Sequence, residues 1–169
     1  MKNKICLAPG FLKIELVKAL IKKNLLAFVI YPLTSKYKEE YREIIDFCHK
    51  NNIKTIKYDK NLLKVNSRLD LKEIYLYSSG FPYIFKHADL IRFKSCVNYH
   101  PVDLPDFPGK YLHNALLSSK ENFSSTLHEM DSGIDSGKII KKFQFKRGSF
   151  DSIKSIVRKS SALELKKLN

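Results

Sequence analysis

The run Leu26-Ala27-Phe28-Val29-Ile30-Tyr31, stopped by Pro32, constrains this chain more than any other segment. A continuous apolar run of strand length suits a strand covered on both faces, as in a parallel sheet. Helical patterns flank it. Phe11 to Lys23 carries Leu12, Leu16, Ala19 and Leu20 near helical spacing. After Pro32, Thr34 or Ser35 can cap a second helix, in which Tyr37, Tyr41, Ile44, Ile45 and Cys48 repeat at i, i+4, i+7, i+8 and i+11. Asn51-Asn52 ends that helix. Lys4–Ala8, Ile53–Tyr58 and Glu73–Tyr77 read as further strands. The alternation predicts an α/β chain with a doubly wound, mostly parallel, Rossmann-like sheet flanked by helices.

Downstream, Cys96–Tyr99 reads as a short strand, Tyr111–Ser119 as a helix, and Ser124–Met130 and Ile139–Phe145 as two strands joined by a loop. Phe150 to Leu168 reads as an amphipathic helix with Ile153, Ile156, Val157 and Leu163 inward. No repeat or linker interrupts the pattern, so one domain over 1–169, without a separate C-terminal module, is expected.

An apolar content of 44% and an aromatic content of 12% are those of a folded domain. No apolar run approaches the roughly 20 residues of a membrane span, and the N-terminus lacks the long apolar stretch of a signal peptide. A cytoplasmic protein without membrane partners is expected. The three cysteines, Cys6, Cys48 and Cys96, form no Cys-x-x-Cys pair. They are expected to be buried small hydrophobes, with no disulfide framework and no metal site. The net charge of +14 invites an anionic partner. Its lysines are scattered rather than gathered in one arm, which favours a phosphorylated small molecule over nucleic acid.

The chemistry is concentrated in Asn98-Tyr99-His100-Pro101 and Asp135-Ser136-Gly137. Asn98 and His100 are two apart, so on an extended segment both side chains point the same way, and Pro101 biases His100 toward that conformation. Acyl transfer to an amine needs a polarised carbonyl, a held oxyanion and a route for the amine's proton. An amide and an imidazole can hold the oxyanion. A carboxylate can orient the imidazole, raise its pKa and accept the proton. Between them, Leu104-Pro105-Asp106-Phe107-Pro108-Gly109 reads as a rigid loop, and Gly133 and Gly137 let backbone groups approach a planar ligand.

The segment Asn98-Tyr99-His100-Pro101-Val102-Asp103-Leu104-Pro105-Asp106-Phe107-Pro108-Gly109 resembles the Asn-x-His-Pro-x-x-Leu-Pro-x-aromatic-Arg-Gly signature of the formyltransferases that use 10-formyltetrahydrofolate. Asp131-Ser132-Gly133-Ile134-Asp135-Ser136-Gly137 is similar to that family's second signature, Asp-x-Gly-x-Asp-x-Gly. Ser78-Ser79-Gly80-Phe81-Pro82-Tyr83-Ile84 is similar to the preceding segment, which in sugar N-formyltransferases packs beside the pterin. Order and spacing agree over roughly residues 73 to 145.

The resemblance implies 10-formyltetrahydrofolate as formyl donor, no metal, and direct attack of an amine on the formyl carbon. Asn98 and His100 would stabilise the oxyanion, with Asp135 supporting His100 and proton removal. Ser79, Gly80, Phe81, Pro82, Tyr83 and Ile84, together with Asp131, Ser132, Gly133 and Ile134, would hold the pterin. Pro9, Gly10, Phe11, Lys110 and Tyr111 are the candidate acceptor contacts. The family's Arg is here Pro108, with Lys110 nearby as a partial substitute.

For the acceptor, the Gly80-Phe81-Pro82-Tyr83-Ile84 run and the basic surface point first to a nucleotide-linked amino sugar. Glycinamide ribonucleotide and initiator methionyl-tRNA are alternatives within the family, although Ala8-Pro9-Gly10-Phe11 is a poor match to the phosphate-binding loop of the former. Hydrolysis of the formyl donor and non-catalytic folate or nucleotide binding are the readings outside transfer to an amine. The oligomeric state stays open, a homodimer included.

Overall fold

A computed structural model describes residues 4–32, 38–58, 70–109 and 112–168. Thr34, Ser35, Tyr37, Lys110 and Tyr111 lie outside the described residues. The strands form a mostly parallel sheet with helices between them, as the apolar run at Leu26–Tyr31 predicts. The chain divides into two compact units, residues 1–97 and 98–169.

In the first unit, β1 (Lys4–Pro9), β2 (Leu26–Pro32), β3 (Lys54–Tyr58) and β4 (Ile74–Ser79) lie in the order β3-β2-β1-β4. Every pairing among them is parallel. Phe28, Val29 and Ile30 are all buried, so β2 is covered on both faces. Each such side chain contributes roughly 1.5–3 kcal/mol of hydrophobic stabilisation. Helix α1 (Ile14–Lys22) buries Leu16, Val17 and Leu20. It starts three residues later than the periodicity suggests. Leu12 sits at φ 61°, in the left-handed region, and the helix cannot extend back through it. Helix α2 (Lys38–Lys50) buries Tyr41, Ile44 and Cys48 on the expected stripe. Asn52, at φ 55°, ends it in the left-handed conformation that Asn tolerates. A short helix, α3 (His87–Leu90), has too few residues to show a period, and the sequence did not reveal it.

Strand β5 (Ser95–His100) leads into the second unit, which adds α4 (Leu112–Leu117), β6 (Asn122–Glu129), β7 (Ile139–Lys146) and α5 (Ile153–Leu168). β6 and β7 pair antiparallel, as two strands joined by one loop should. Val102, Ala115, Phe123 and Ile156 make this unit's core, with Phe107, Leu112, Leu116 and Phe145 packed against it. Phe150 is fully exposed, and α5 begins only after Ser152, which caps it: the backbone N–H groups and hydroxyls of Ser152 and of Ser155 in the first turn bond reciprocally. All three cysteines are free and buried, as expected. No described helix is long and apolar enough to cross a membrane.

Candidate active site

The strand period places the first two site residues. Asn98 and His100 share one face of β5. Tyr99, between them, points the other way and donates its hydroxyl to the Ser160 carbonyl of α5 at 3.0 Å. That helix contact anchors the strand while leaving the Asn98/His100 face to the loops.

The loop after His100 is fixed by its own side chains. Asp103 is buried; its Oδ2 accepts the Ser124 N–H at 2.9 Å and its carbonyl accepts the Phe107 N–H at 2.9 Å. Thr126 accepts the Leu104 N–H at 3.2 Å and donates to the Val102 carbonyl at 3.1 Å. Two backbone groups are thereby aimed at the site. The Phe107 carbonyl lies 2.8 Å from His100 Nε2, and the Gly109 N–H donates to Asp135 Oδ2 at 2.7 Å.

Asp135 is delivered by the β6–β7 loop. It sits at φ 51°, a left-handed conformation that Asp adopts more readily than most residues. Asp131 Oδ1 ties the loop together by accepting the Gly133 N–H at 2.9 Å and the Ser136 hydroxyl at 2.8 Å. Gly137 closes its base, where a Cβ would overlap the Glu129 carbonyl.

Asn98, His100 and Asp135 therefore meet. Asn98 Nδ2 donates to Asp135 Oδ1 at 3.1 Å, and His100 Nδ1 lies 3.3 Å from Asp135 Oδ2. His128, at 2% exposure, joins them with Nε2 3.1 Å from Asn98 Nδ2 and 3.4 Å from Asp135 Oδ1. Sequence reasoning passed over His128, Asp103 and Thr126. The available signal was the alternation Ser124, Thr126, His128 within a strand, which is polar on a face that turns out to be buried.

Electrostatics divides the cluster. Burial pushes the His100 imidazole below its ordinary value of 6.5, and the His128 ring adds to that; Asp135 and the Phe107 carbonyl oppose it without prevailing. The carboxylate alone was expected to raise it. For Asp135, burial acts upward, but the His128 and Gly109 hydrogen bonds and the His100 ring hold its carboxyl below 3.8. At neutral pH the cluster thus holds an ionised carboxylate beside a neutral His100. The Phe107 carbonyl only accepts, so Nε2 carries the hydrogen and Nδ1 is left as the basic nitrogen facing Asp135.

The expected pterin segment and acceptor residues Pro9 and Gly10 adjoin each other within the first unit. Pro9 pairs with Ser79 across β1 and β4, at the carboxyl edge of a parallel sheet, where ligands collect. Gly10 donates its N–H to the Ser79 carbonyl at 2.7 Å, and a side chain there would overlap the Gly80 carbonyl. The Ser79 hydroxyl is buried without a hydrogen-bond partner. Phe81 and Tyr83 pack their rings on Tyr58 and on each other, and Phe81 also stacks on Phe85 at 5.3 Å. The Ile84 carbonyl takes the Tyr58 hydroxyl at 3.3 Å. Tyr58 and Phe85 were not anticipated. Among the described residues, no group of three or more His, Cys, Asp or Glu side chains is arranged to hold a metal ion.

Comparison with solved structures places the fold. Phosphoribosylglycinamide formyltransferase from Streptococcus pneumoniae TIGR4 superposes with a TM-score of 0.71 at 21% identity, over 99% of this chain and 94% of that one. Glycinamide ribonucleotide transformylase 1 from Geobacillus kaustophilus does so with a TM-score of 0.76 at 19% identity, over 98% and 94%. The chain has the formyltransferase fold. That fold also covers the N-formyltransferase from Helicobacter canadensis, solved with folinic acid and dTDP-3-aminofucose, at a TM-score of 0.76 and 21% identity. There the match spans 98% of this chain but 61% of that one. No protein-family profile and no curated protein sequence matches the chain.

Proposed function

We propose that the protein, with residues 1–169 acting as one catalytic domain, transfers a formyl group from 10-formyltetrahydrofolate to the amine of a nucleotide-linked amino sugar. The observation that carries this reading is the Asp135 carboxylate with Asn98 and His100 on its two oxygens, in a chain of formyltransferase fold. The amine attacks the formyl carbon, the oxyanion collapses, and the bond to the folate nitrogen breaks, that nitrogen leaving with the proton that His100 has taken from the amine. An Asn98 N–H and the His100 Nε2–H stabilise the oxyanion, His100 exchanging the Phe107 carbonyl for it. His100 Nδ1 receives the proton that the attacking amine sheds, and Asp135 stabilises the imidazolium so formed. The backbone around Ser79–Ile84 and Asp131–Ile134 is assigned to the pterin. Pro9, Gly10, Phe11, Lys110 and Tyr111 are assigned to the acceptor.

The Gly80-Phe81-Pro82-Tyr83-Ile84 run supports the sugar acceptor. One observation supports a second reading, glycinamide ribonucleotide: a phosphoribosylglycinamide formyltransferase and a glycinamide ribonucleotide transformylase match this chain with TM-scores of 0.71 and 0.76, against 0.76 for the Helicobacter enzyme. The test follows tetrahydrofolate release from 10-formyltetrahydrofolate with no acceptor, with amino-sugar nucleotides, and with glycinamide ribonucleotide. Release only with an amino sugar supports the proposal, and release only with the ribonucleotide selects the second reading. Release without acceptor points to hydrolysis. No release in any arm refutes catalysis.

A further inference from the structure

The loop that reaches His100 and Asp135 carries charge it cannot balance by itself. Residues 103–109 hold two aspartates and no cation, with Pro108 where the signature has Arg. Lys120, in the connection between α4 and β6, supplies one. Its Nζ lies 3.2 Å from Asp103 Oδ1 and 3.0 Å from Asp106 Oδ2. The same ammonium sits 5.9 Å from the centre of the Phe107 ring, whose edge packs on the buried Phe123 at 6.3 Å. Elements outside the loop hold the ammonium in place. Arg147, just past β7, donates to the Leu116 and Ser118 carbonyls at 2.6 Å each, and its backbone N–H bonds the Glu121 carbonyl at 2.8 Å. The connection is therefore fixed on both sides of Lys120.

An ion pair between two exposed side chains contributes little. Here one partner is not exposed: the Asp103 side chain is 5% accessible, against 36% for Lys120, and its other oxygen takes the Ser124 N–H. Without the ammonium, a buried carboxylate is left uncompensated, and it can regain water only if the loop moves. Desolvation acts to lower the Lys120 pKa, but the two carboxylates hold it above 10.5, so the cation is present throughout the neutral range.

We propose that Lys120 is a positioning residue: by bridging Asp103 and Asp106 it keeps the loop in the conformation that sets the Phe107 carbonyl 2.8 Å from His100 Nε2 and the Gly109 N–H 2.7 Å from Asp135 Oδ2. Its effect on rate rests on the formyl-transfer reading; the braced loop does not.

Hydrogen exchange of backbone amides, read by NMR on the whole chain, tests the brace without any assay of activity. In Lys120→Met the Gly109 amide should exchange about tenfold faster or more, while the Ile156 amide, bonded to the Ser152 carbonyl, stays within about twofold. Asp106→Asn, an exposed change that leaves Asp103 paired, should speed Gly109 about threefold, and decides the matter if Lys120→Met does not fold. Unchanged Gly109 exchange in the folded variant, or equal acceleration at Ile156, would overturn the proposal. In the formyl-transfer assay, Lys120→Met should lower kcat about tenfold, since a misplacement of about 1 Å can cost about 100-fold. KM for donor and acceptor should stay within about twofold, and Lys120→Arg, whose guanidinium can serve both carboxylates, should return kcat to within about threefold of the parent. With Asp103→Asn and Asp106→Asn in place, Lys120→Met should add nothing. An equal loss in that background would show that Lys120 does not act through the loop. If the parent chain transfers no formyl group to any acceptor, the formyl-transfer reading fails, and hydrogen exchange alone decides the brace.

Discussion

Asp135→Asn removes a charge while keeping the shape of the side chain. The carboxylate has four polar neighbours: the Gly109 N–H at 2.7 Å and His100 Nδ1 at 3.3 Å on one oxygen, Asn98 Nδ2 at 3.1 Å and His128 Nε2 at 3.4 Å on the other. An amide in its place must turn its NH₂ either toward the Gly109 N–H or toward the Asn98 N–H, so one donor loses its acceptor. The larger effect is electrostatic. At 3.3 Å, with an effective dielectric constant of about 20, carboxylate and imidazolium attract by roughly 5 kcal/mol. Burial penalises the charged ring in parent and variant alike, so the substitution removes the attraction itself; the dipole of the new amide returns part of it, leaving a loss of about 3–4 kcal/mol at the transition state, or about 100- to 1,000-fold in rate. Tetrahydrofolate release at saturating donor and acceptor measures kcat, and urea unfolding monitors the fold. A kcat within tenfold of the parent, in a variant that folds normally, would refute the assignment of Asp135 to the imidazolium.

Three further outcomes are expected. Asn98→Ala should lower kcat about 100- to 1,000-fold. It should leave folate affinity, measured by calorimetry, within about threefold, because Asn98 acts on the transition state; an equal loss of affinity would assign it to ground-state binding. Since burial lowers the His100 pKa and Nδ1 is assigned as proton acceptor, kcat/KM should rise with pH through a value below 6.5 and level off above it. A profile that falls through that range would make the imidazolium the active form from the outset. Asp151, whose carboxylate accepts the Gly148 N–H at 2.7 Å, the Ser155 hydroxyl at 2.8 Å and Lys159 Nζ at 2.6 Å, has its pKa drawn down to about 2 against the opposing effect of burial. Its contribution is present above 3.8 and lost as pH falls toward 2, because the unfolded chain binds the proton first. Asp151→Ala should cost about 1 kcal/mol in urea unfolding at pH 7. The difference from the parent should shrink toward pH 2, and a constant difference would refute the assignment.

What the sequence disclosed follows the reach of each interaction. The apolar run at Leu26–Tyr31 and the Tyr41, Ile44, Cys48 stripe are periodic over several residues, so burial leaves a pattern in one dimension, and strands and helices fell where expected. Helix α1 moved because a single backbone torsion at Leu12 overrode a periodicity that ran through it. Asn98, His100 and Asp135 were legible because their residue types and order are distinctive. His128 was not, since a lone histidine in a strand has no spacing to announce it, and its partners are distant in sequence. The Phe107 carbonyl and the Gly109 N–H were invisible for a stronger reason: backbone groups have no letter, and their aim depends on Asp103 and Thr126.

The charge of His100 shows where local chemistry misleads. A carboxylate beside an imidazole predicts a raised pKa, and Asp135 at 3.3 Å does push in that direction. Yet the ring is only 5% exposed, and burial penalises the imidazolium by more than the carboxylate returns. The sign reverses, and with it the resting state. A site that rests with His100 protonated has its oxyanion donor charged from the start but nowhere on that ring to put the amine's proton. One that rests neutral keeps Nδ1 vacant beside an ionised Asp135, and in the proposed transfer becomes cationic only as negative charge grows on the formyl oxygen. On that reading burial delays the charge on His100 until the step that needs it, and Asp135 then stabilises it.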